Sequence, residues 1–220
     1  LVLFGGSGAG LQFDPTTWVW DDMWIEFAPA PVGRSGLAVT VLVVASAVSA
    51  AEQAVDVVIL SPYRSRLGAN ARPRLLPHAG VDFAAPAGTP VLAATDGVVS
   101  MLIDYEPGCG VGVVLSHPRF KRWTAYCHLT RAVVATGQAV ARGERIGFSG
   151  ASGNAAGVPH VHLELCTTAC ASHRDGDLRS TEDPLGAALG CHDPQRVYPA
   201  DRFTLTLPIE CRHWSKDARR

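Results

Sequence analysis

Residues 160–165 have the sequence His-Val-His-Leu-Glu-Leu, in which polar and apolar side chains alternate with a period of two. Successive side chains of a β-strand point to opposite faces, so this stretch predicts a strand with one apolar and one polar face. His160, His162 and Glu164 would share the polar face. Two imidazoles placed in this way, about 6 to 7 Å apart at Cα, can reach one metal ion or a metal and its substrate. The pair alone equally fits two exposed histidines on an edge strand.

The same period of two recurs along the second half of the chain, interrupted by turn residues among 22 glycines and 15 prolines. We therefore expect an all-β domain built from antiparallel strands, with 115–123 as a hairpin connection. A short helix is expected at 183–189, because Asp183 can cap it and proline occupies its first position. The other predicted strands are 91–94, 97–103, 111–116, 123–129, 145–149, 161–165 and, near the end, 203–209.

The first fifty residues differ in character from the rest. An apolar run at 37–48, preceded by Arg34 and followed by small residues, is typical of a secretory signal cut after Ala50. It is shorter than the roughly 20 residues that a membrane-spanning helix needs. We expect an upstream segment and signal peptide at 1–50, a linker at 51–73, the main domain at 74–189 and a cysteine-containing tail at 190–220.

Six cysteines all follow the predicted cut, which favours up to three disulfides in an oxidising compartment. The sequence leaves their connectivity open. A zinc cluster at Cys166 and Cys170 is the alternative, although no second closely spaced pair completes it. With 19 basic and 20 acidic residues, the chain has a net charge of -1 and no bulk attraction to nucleic acid or anionic membranes. We expect an exported monomer, periplasmic or extracellular, without a membrane span once the signal is removed.

Two further motifs contain histidines. His78 and Asp82 are four residues apart, and a turn through Gly80 would bring their side chains together. A turn carboxylate that caps its own backbone is the simpler interpretation of Asp82. Downstream, the period of two predicts that Tyr126 and His128 share one face of a strand.

Together these motifs resemble the lysostaphin and LytM family of zinc metallopeptidases, which cut peptidoglycan cross-bridges. The resemblance lies in the order and spacing of His78-x-x-x-Asp82, Tyr126-x-His128-Leu129 and His160-x-His162. It extends to the connecting text HAGVDFAAPAGTPVLAATDGVV, GVGVVLSH, GQAVARGERIGFSGASG and PHVHLEL, and runs from about residue 74 to 189. It implies a β-sandwich domain of the duplicated-hybrid-motif type.

The resemblance also implies roles for five residues. His78, Asp82 and His162 would bind one Zn²⁺ per chain, while His128 and His160 would stand free of the metal as catalytic residues. Three protein ligands leave the fourth tetrahedral position open, as a catalytic site requires. The substrate would be a peptidoglycan peptide, cut either in a glycyl-glycyl bridge or at a D-alanyl link to a diamino acid. One departure from the family pattern is Ala156-Gly157-Val158-Pro159 before the histidine pair, which has an extra residue and no threonine.

Two other classes of protein remain alternatives. A non-catalytic regulator of wall hydrolases can share this fold, although all five functional positions are filled here. The GQAVARGERIG segment also resembles the hairpin of biotinyl, lipoyl and sugar-phosphotransferase carrier domains. Biotinyl and lipoyl carriers need a lysine at the hairpin tip, but the only lysines are Lys121 and Lys216. A phosphohistidine carrier works inside cells, against the predicted export.

Overall fold

The computed structural model describes residues 57–105, 108–170, 178–212 and 214, and the backbone of two short strands nearer the N-terminus. The chain divides into two compact units, Leu1–Ala47 and Val48–Arg220. In the first unit, Trp18–Trp20 (β1) pairs antiparallel with Met23–Ile25 (β2). The predicted signal run and its cut after Ala50 lie outside the described residues.

The second unit is built on a ten-stranded sheet in which every strand pair is antiparallel. Its strands are β3 Ile59–Ser61, β4 Val81–Ala84, β5 Pro90–Leu92, β6 Gly97–Tyr105, β7 Gly110–His117, β8 Arg122–Ala132, β9 Ala139–Val140, β10 Arg145–Ser149, β11 His160–Cys166 and β12 Thr181–Glu182. A 3₁₀ turn, Pro118–Phe120, connects β7 to β8, as the hairpin prediction required. The all-β fold class is confirmed.

The main path of the sheet runs β3-β4-β11-β8-β7-β6-β9, and β10 joins β5 to β8. Strand β8 lies at the centre and pairs with β7, β10 and β11. Apolar side chains from these strands, including Phe83, Leu115, Tyr126 and Leu163, form the main core. The inward-facing residues of β11 are therefore those that the alternation predicts, and their burial fixes which face of β11 carries the histidines.

Near the C-terminus the structure corrects one predicted strand and shortens the predicted helix. Residues 203–209 are not a strand, because successive backbone N–H groups bond to different segments: Leu205 to Ala187, Thr206 to Ala94 and Leu207 to Gly190. One isolated parallel bridge, between Ala188 and Leu205, is all that remains of the expected pairing.

The helix α1, Pro184–Ala187, is capped by Asp183, whose side chain accepts a hydrogen bond of 2.9 Å from the Leu185 backbone N–H. It ends before the predicted 189.

The structured body extends beyond 74–189 in both directions. Strand β3, in the predicted linker, pairs with β4, and Leu205, Leu207 and Ile209 of the predicted tail belong to the core.

All six cysteines are paired, as Cys109–Cys127, Cys166–Cys170 and Cys191–Cys211. This confirms the disulfide prediction and leaves no thiolates for a zinc cluster at Cys166 and Cys170. No helix among the described residues is long and apolar enough to cross a membrane.

Candidate metal centre and active-site cleft

Strand register brings two of the predicted ligands face to face. In the β4–β11 pair His162 lies directly opposite Asp82, so the two side chains project from the same face. His78 precedes β4 by a turn through Gly80, where the chain approaches β11 closely. A Cβ atom on Gly80 would collide with the Leu163 carbonyl oxygen and the His162 ring, so only glycine permits this approach.

The three predicted ligands converge on one point. His162 Nδ1 lies 2.8 Å from Asp82 Oδ1 and 2.9 Å from His78 Nε2, and the latter is 3.1 Å from Asp82 Oδ1. All three side chains are buried. Tetrahedral zinc with bonds of about 2.0 to 2.1 Å separates its ligand atoms by about 3.3 Å. Two imidazole nitrogens and one carboxylate oxygen at these separations therefore fit a zinc ion after small movements.

The outer nitrogens of both imidazoles are held by neighbouring oxygens. His78 Nδ1 donates to Ser61 Oγ at 3.0 Å, since that hydroxyl donates its own proton to the Leu67 carbonyl oxygen. His162 Nε2 donates to Glu164 Oε1 at 3.2 Å. These bonds orient the rings so that His78 Nε2 and His162 Nδ1 face each other and Asp82.

The sequence predicted the correct face for Glu164 but no role for it, and it did not indicate that Ser61 contacts His78. The spacing of Glu164 from His162 was a usable signal, whereas Ser61 comes to His78 through the pairing of β3.

Asp82 is an ionised carboxylate with both oxygens engaged. Its Oδ1 faces the imidazoles, and its Oδ2 accepts a hydrogen bond of 2.9 Å from Arg74 Nη2. Burial alone would raise the pKa of Asp82, but hydrogen bonds from His162 and His78 hold that pKa well below its usual range. Burial likewise disfavours protonated His162, yet its hydrogen bonds to Asp82 and Glu164 raise the pKa of His162 to about 10. The site therefore stabilises positive charge at His162 Nδ1.

His128 reaches the same site through an irregularity in β8. The β7–β8 register shifts between Val111 and Val113, and His128 has a left-handed backbone with φ of 65°. The prediction that Tyr126 and His128 share a face is wrong for this reason, because the bulge changes the alternation. Tyr126 is buried in the main core, where its hydroxyl accepts a hydrogen bond of 2.8 Å from the Ala94 backbone N–H.

His128 and His160 both direct Nε2 away from their backbone partners. His128 Nδ1 donates to the Ser152 carbonyl oxygen at 2.9 Å, and His160 Nδ1 donates to the Val158 carbonyl oxygen at 2.7 Å. The two ring centroids are 4.7 Å apart, and His160 Nε2 is 3.5 Å from Asp82 Oδ1. Burial and the charges of the neighbouring His162 and His160 lower the pKa of His128 to about 3. His128 is therefore a neutral imidazole with a free lone pair on Nε2.

These two histidines form part of the floor of a cleft of 490 Å³. One wall is the loop before His78 and the other is the loop before His160, where Ala156 and Gly157 have left-handed backbones. The unusual Ala-Gly-Val-Pro segment therefore reaches the cleft through Ala156. The remaining lining residues are Gly68, Ala69, Asn70, Arg72, Pro73, Arg74, Leu75, Leu76, Asn154 and Ala155.

An antiparallel β domain with a His-Asp-His group beside a cleft has the features of a metallopeptidase. Residues 76–173 match the model of peptidase family M23, a family of metallopeptidases, so this part of the chain is an M23 peptidase domain.

Two curated relatives from Vibrio cholerae are similar over this region. The peptidoglycan DD-endopeptidase ShyA is 48% identical over 92 residues, which cover 42% of this chain and 21% of ShyA. The peptidoglycan DD-endopeptidase ShyB is 40% identical over 116 residues, which cover 53% of this chain and 26% of ShyB. The chain thus spans about a quarter or less of the length of these relatives.

Among solved structures, the catalytic domain of lysostaphin from Staphylococcus simulans is 26% identical, with a TM-score of 0.46. That match covers 59% of this chain and 87% of the lysostaphin domain. A zinc-containing peptidase from Vibrio cholerae is 36% identical with a TM-score of 0.42, over 49% of this chain and 32% of that one.

Proposed function

We propose that this protein is a zinc endopeptidase that hydrolyses peptide cross-links of bacterial peptidoglycan, with His78, Asp82 and His162 as the zinc ligands. The observation that carries the proposal is the convergence of their three ligand atoms within 2.8 to 3.1 Å of one another beside a cleft. Relatives that are named peptidoglycan DD-endopeptidases support this substrate class. The three disulfides support export to an oxidising compartment.

Zinc held by these ligands would polarise the scissile carbonyl group and lower the pKa of the attacking water towards about 7. The chain's own residues prepare the site for this chemistry. Ser61 and Glu164 fix the two imidazole rings, and Arg74 occupies Asp82 Oδ2, which leaves Oδ1 as the ligand atom. The raised pKa of His162 supports a bound cation here, because zinc would replace the proton on Nδ1.

His128 and His160 would carry out the proton transfers. Both have Nδ1–H committed to a backbone carbonyl oxygen, so Nε2 of each can accept a proton. One of them would take the proton of the attacking water, and the other would stabilise the developing oxyanion or protonate the departing amine. Their neutral state and their position in the cleft beside the ligand group support this division of work.

The test compares the wild type with His128→Ala on purified peptidoglycan, with zinc measured in both proteins. We expect about one zinc per chain in each, and a loss of cleavage of about 10² to 10⁴ fold in the variant, the usual contribution of proton transfer. His117→Ala is the matched control, since His117 is equally buried but bonds to the Asp96 carbonyl oxygen and to Thr124 away from the cleft. Unchanged cleavage by His128→Ala would contradict the assigned role, and loss of its zinc would contradict the ligand set.

A further inference from the structure

The cleft has an uneven distribution of charge. Among its described lining residues, Arg72 and Arg74 are the charged side chains outside the histidines, and none is acidic. Both arginines belong to the wall formed by the loop before His78, whereas the opposite wall, at 154–156, contributes an asparagine and two alanines. A cleft with this charge favours a substrate that brings a negative group to the arginine-bearing wall.

The two arginines differ in their partners. Arg74 is half-buried and its charge is matched by Asp82, 2.9 Å away. Arg72 is exposed, and its guanidinium makes no hydrogen bond or ion pair with any described residue. With no partner among the described residues, the side-chain donors of Arg72 are available to a ligand in the cleft that Arg72 lines.

The backbone that carries Arg72 is held in a tight turn. Gly68 donates to the Arg72 carbonyl oxygen at 2.9 Å, the Arg72 backbone N–H donates to Asn70 Oδ1 at 3.0 Å, and Leu67 bridges to Pro73. At the tip, Ala71 has a left-handed backbone with φ of 58°. These contacts fix the base of the Arg72 side chain relative to the cleft, so that less entropy is lost when the guanidinium binds.

We infer that Arg72 is a specificity residue of the proposed endopeptidase and binds a free carboxylate that the substrate carries near its scissile bond. A guanidinium matches a carboxylate through two parallel hydrogen bonds, which makes this pairing stronger and more specific than a contact with a neutral amide. Diamino-acid cross-links offer such a group, as the second carboxylate of the diamino acid, whereas glycyl-glycyl bridges do not. The inference rests on the proposed endopeptidase function and adds to it a residue that recognises the substrate.

The experiment uses two synthetic cross-linked peptides that are identical except that the free carboxylate of the diamino acid is a carboxamide in one of them. We expect the wild type to cleave the carboxylate peptide with a kcat/KM about 10 to 100 fold higher. Arg72→Gln should lose this preference by losing activity on the carboxylate peptide alone. The fall in kcat/KM should come mainly from a higher KM, because the contact lies outside the reacting bond and is made in both the ground state and the transition state. Arg72→Lys, which keeps the charge but not the paired donors, should retain part of the preference.

Arg64→Gln is the matched control, because it removes one positive charge from the same loop outside the cleft. The Arg64 guanidinium lies 5.6 Å from the Tyr63 ring centroid instead. This control should keep the wild-type preference, and all variants should keep their zinc.

A preference that persists in Arg72→Gln, or a wild type that cleaves both peptides equally, would overturn the inference and leave the proposed function standing. A wild type that cleaves neither peptide would overturn both.

Discussion

The proposed ligands and the proposed proton-transfer histidine are held in place by different means. Asp82 and His162 lie opposite each other on the regular strands β4 and β11, so sheet register alone determines their distance. His128 lies on an interrupted part of β8 with a left-handed backbone, where its N–H donates to the Cys109 carbonyl oxygen at 2.9 Å. The Asp82–His162 pair is therefore a product of sheet register, whereas His128 depends on a few local contacts.

Those local contacts form one small cluster around the Cys109–Cys127 disulfide. Gly110 and Gly153, both with φ of 67°, touch so closely that a Cβ atom on either would collide with the other's backbone. Ser152 presents its carbonyl oxygen to His128 Nδ1, while its hydroxyl donates to the Leu129 carbonyl oxygen at 2.7 Å. The disulfide joins the strand that carries His128 to the loop that contacts this turn. The ligand pair on β4 and β11 and the cluster around His128 can therefore be tested separately.

The largest effect is expected where the sheet supplies the ligands. Asp82→Asn removes the only carboxylate of the group and the charge that balances Arg74. Zinc affinity should fall by more than about 100 fold, the upper range seen when only a supporting residue of a metal site is changed. Cleavage should fall below detection. Elemental analysis after dialysis measures the zinc, and a stoichiometric content in this variant would exclude Asp82 as a ligand.

Removal of the Cys109–Cys127 disulfide should affect the second region selectively. The Cys109→Ser/Cys127→Ser variant should keep its zinc but lose cleavage by about 10² fold, a typical cost of misplacing a catalytic group by about 1 Å. It should also lose about 2 to 5 kcal/mol of stability. Peptidoglycan assays below the melting temperature and urea unfolding measure the two effects.

Cys191→Ser/Cys211→Ser is the control for this prediction. Its disulfide spans 20 residues against 18 for Cys109–Cys127, but it lies in the C-terminal segment. It should lose similar stability and retain cleavage per folded molecule. Equal losses of activity in the two double variants would show that the first disulfide does not specifically position His128.

A smaller effect is expected from Glu164→Gln, which weakens the acceptor for His162 Nε2 without removing a ligand. Zinc affinity should fall about 10 to 100 fold, the range for residues that orient a metal-binding histidine. Competition with a chromogenic chelator gives the affinity, and saturating zinc should restore most of the activity. If excess zinc leaves the variant inactive, Glu164 has a role other than orienting His162.

The smallest effect concerns His117, a buried histidine outside both regions. Burial lowers the pKa of His117 below its ordinary value of 6.5, so the unfolded chain binds a proton that the folded chain excludes. The free energy of unfolding should therefore fall as the pH drops below about 6.5, with a slope of at most about 1.4 kcal/mol per pH unit from this group. His117→Gln should show a shallower decline between pH 7.5 and pH 5 in urea unfolding. Parallel curves for variant and wild type would refute this assignment.

How far the sequence predicts this molecule depends on whether a feature is local. The alternation in 160–165 predicts the buried and polar faces of β11, and the structure confirms both, because side-chain period follows directly from extended backbone. The spacing of His78 and Asp82 indicates a turn that brings them together, and the structure has it. The zinc-ligand and catalytic roles of these residues stay predictions.

Features that depend on distant parts of the chain were not predicted. The support of His78 by Ser61 depends on a strand in the expected linker, and the contact of Arg74 with Asp82 depends on a long irregular loop. The prediction that Tyr126 shares a face with His128 was wrong because of the bulge at His128. Side chains alternate between faces only while the backbone stays extended. The segment 203–209 alternates like a strand but bonds to several partners in turn, which no periodic pattern reveals.

The disulfide beside His128 would also set when such an enzyme becomes active. Thiols stay reduced in the cytosol of most cells, and the bond between Cys109 and Cys127 forms only under oxidising conditions. If the double variant behaves as expected, a newly made chain would have its metal ligands but not a correctly placed His128. Oxidation would then act as a maturation step that protects the producing cell from its own hydrolase during synthesis.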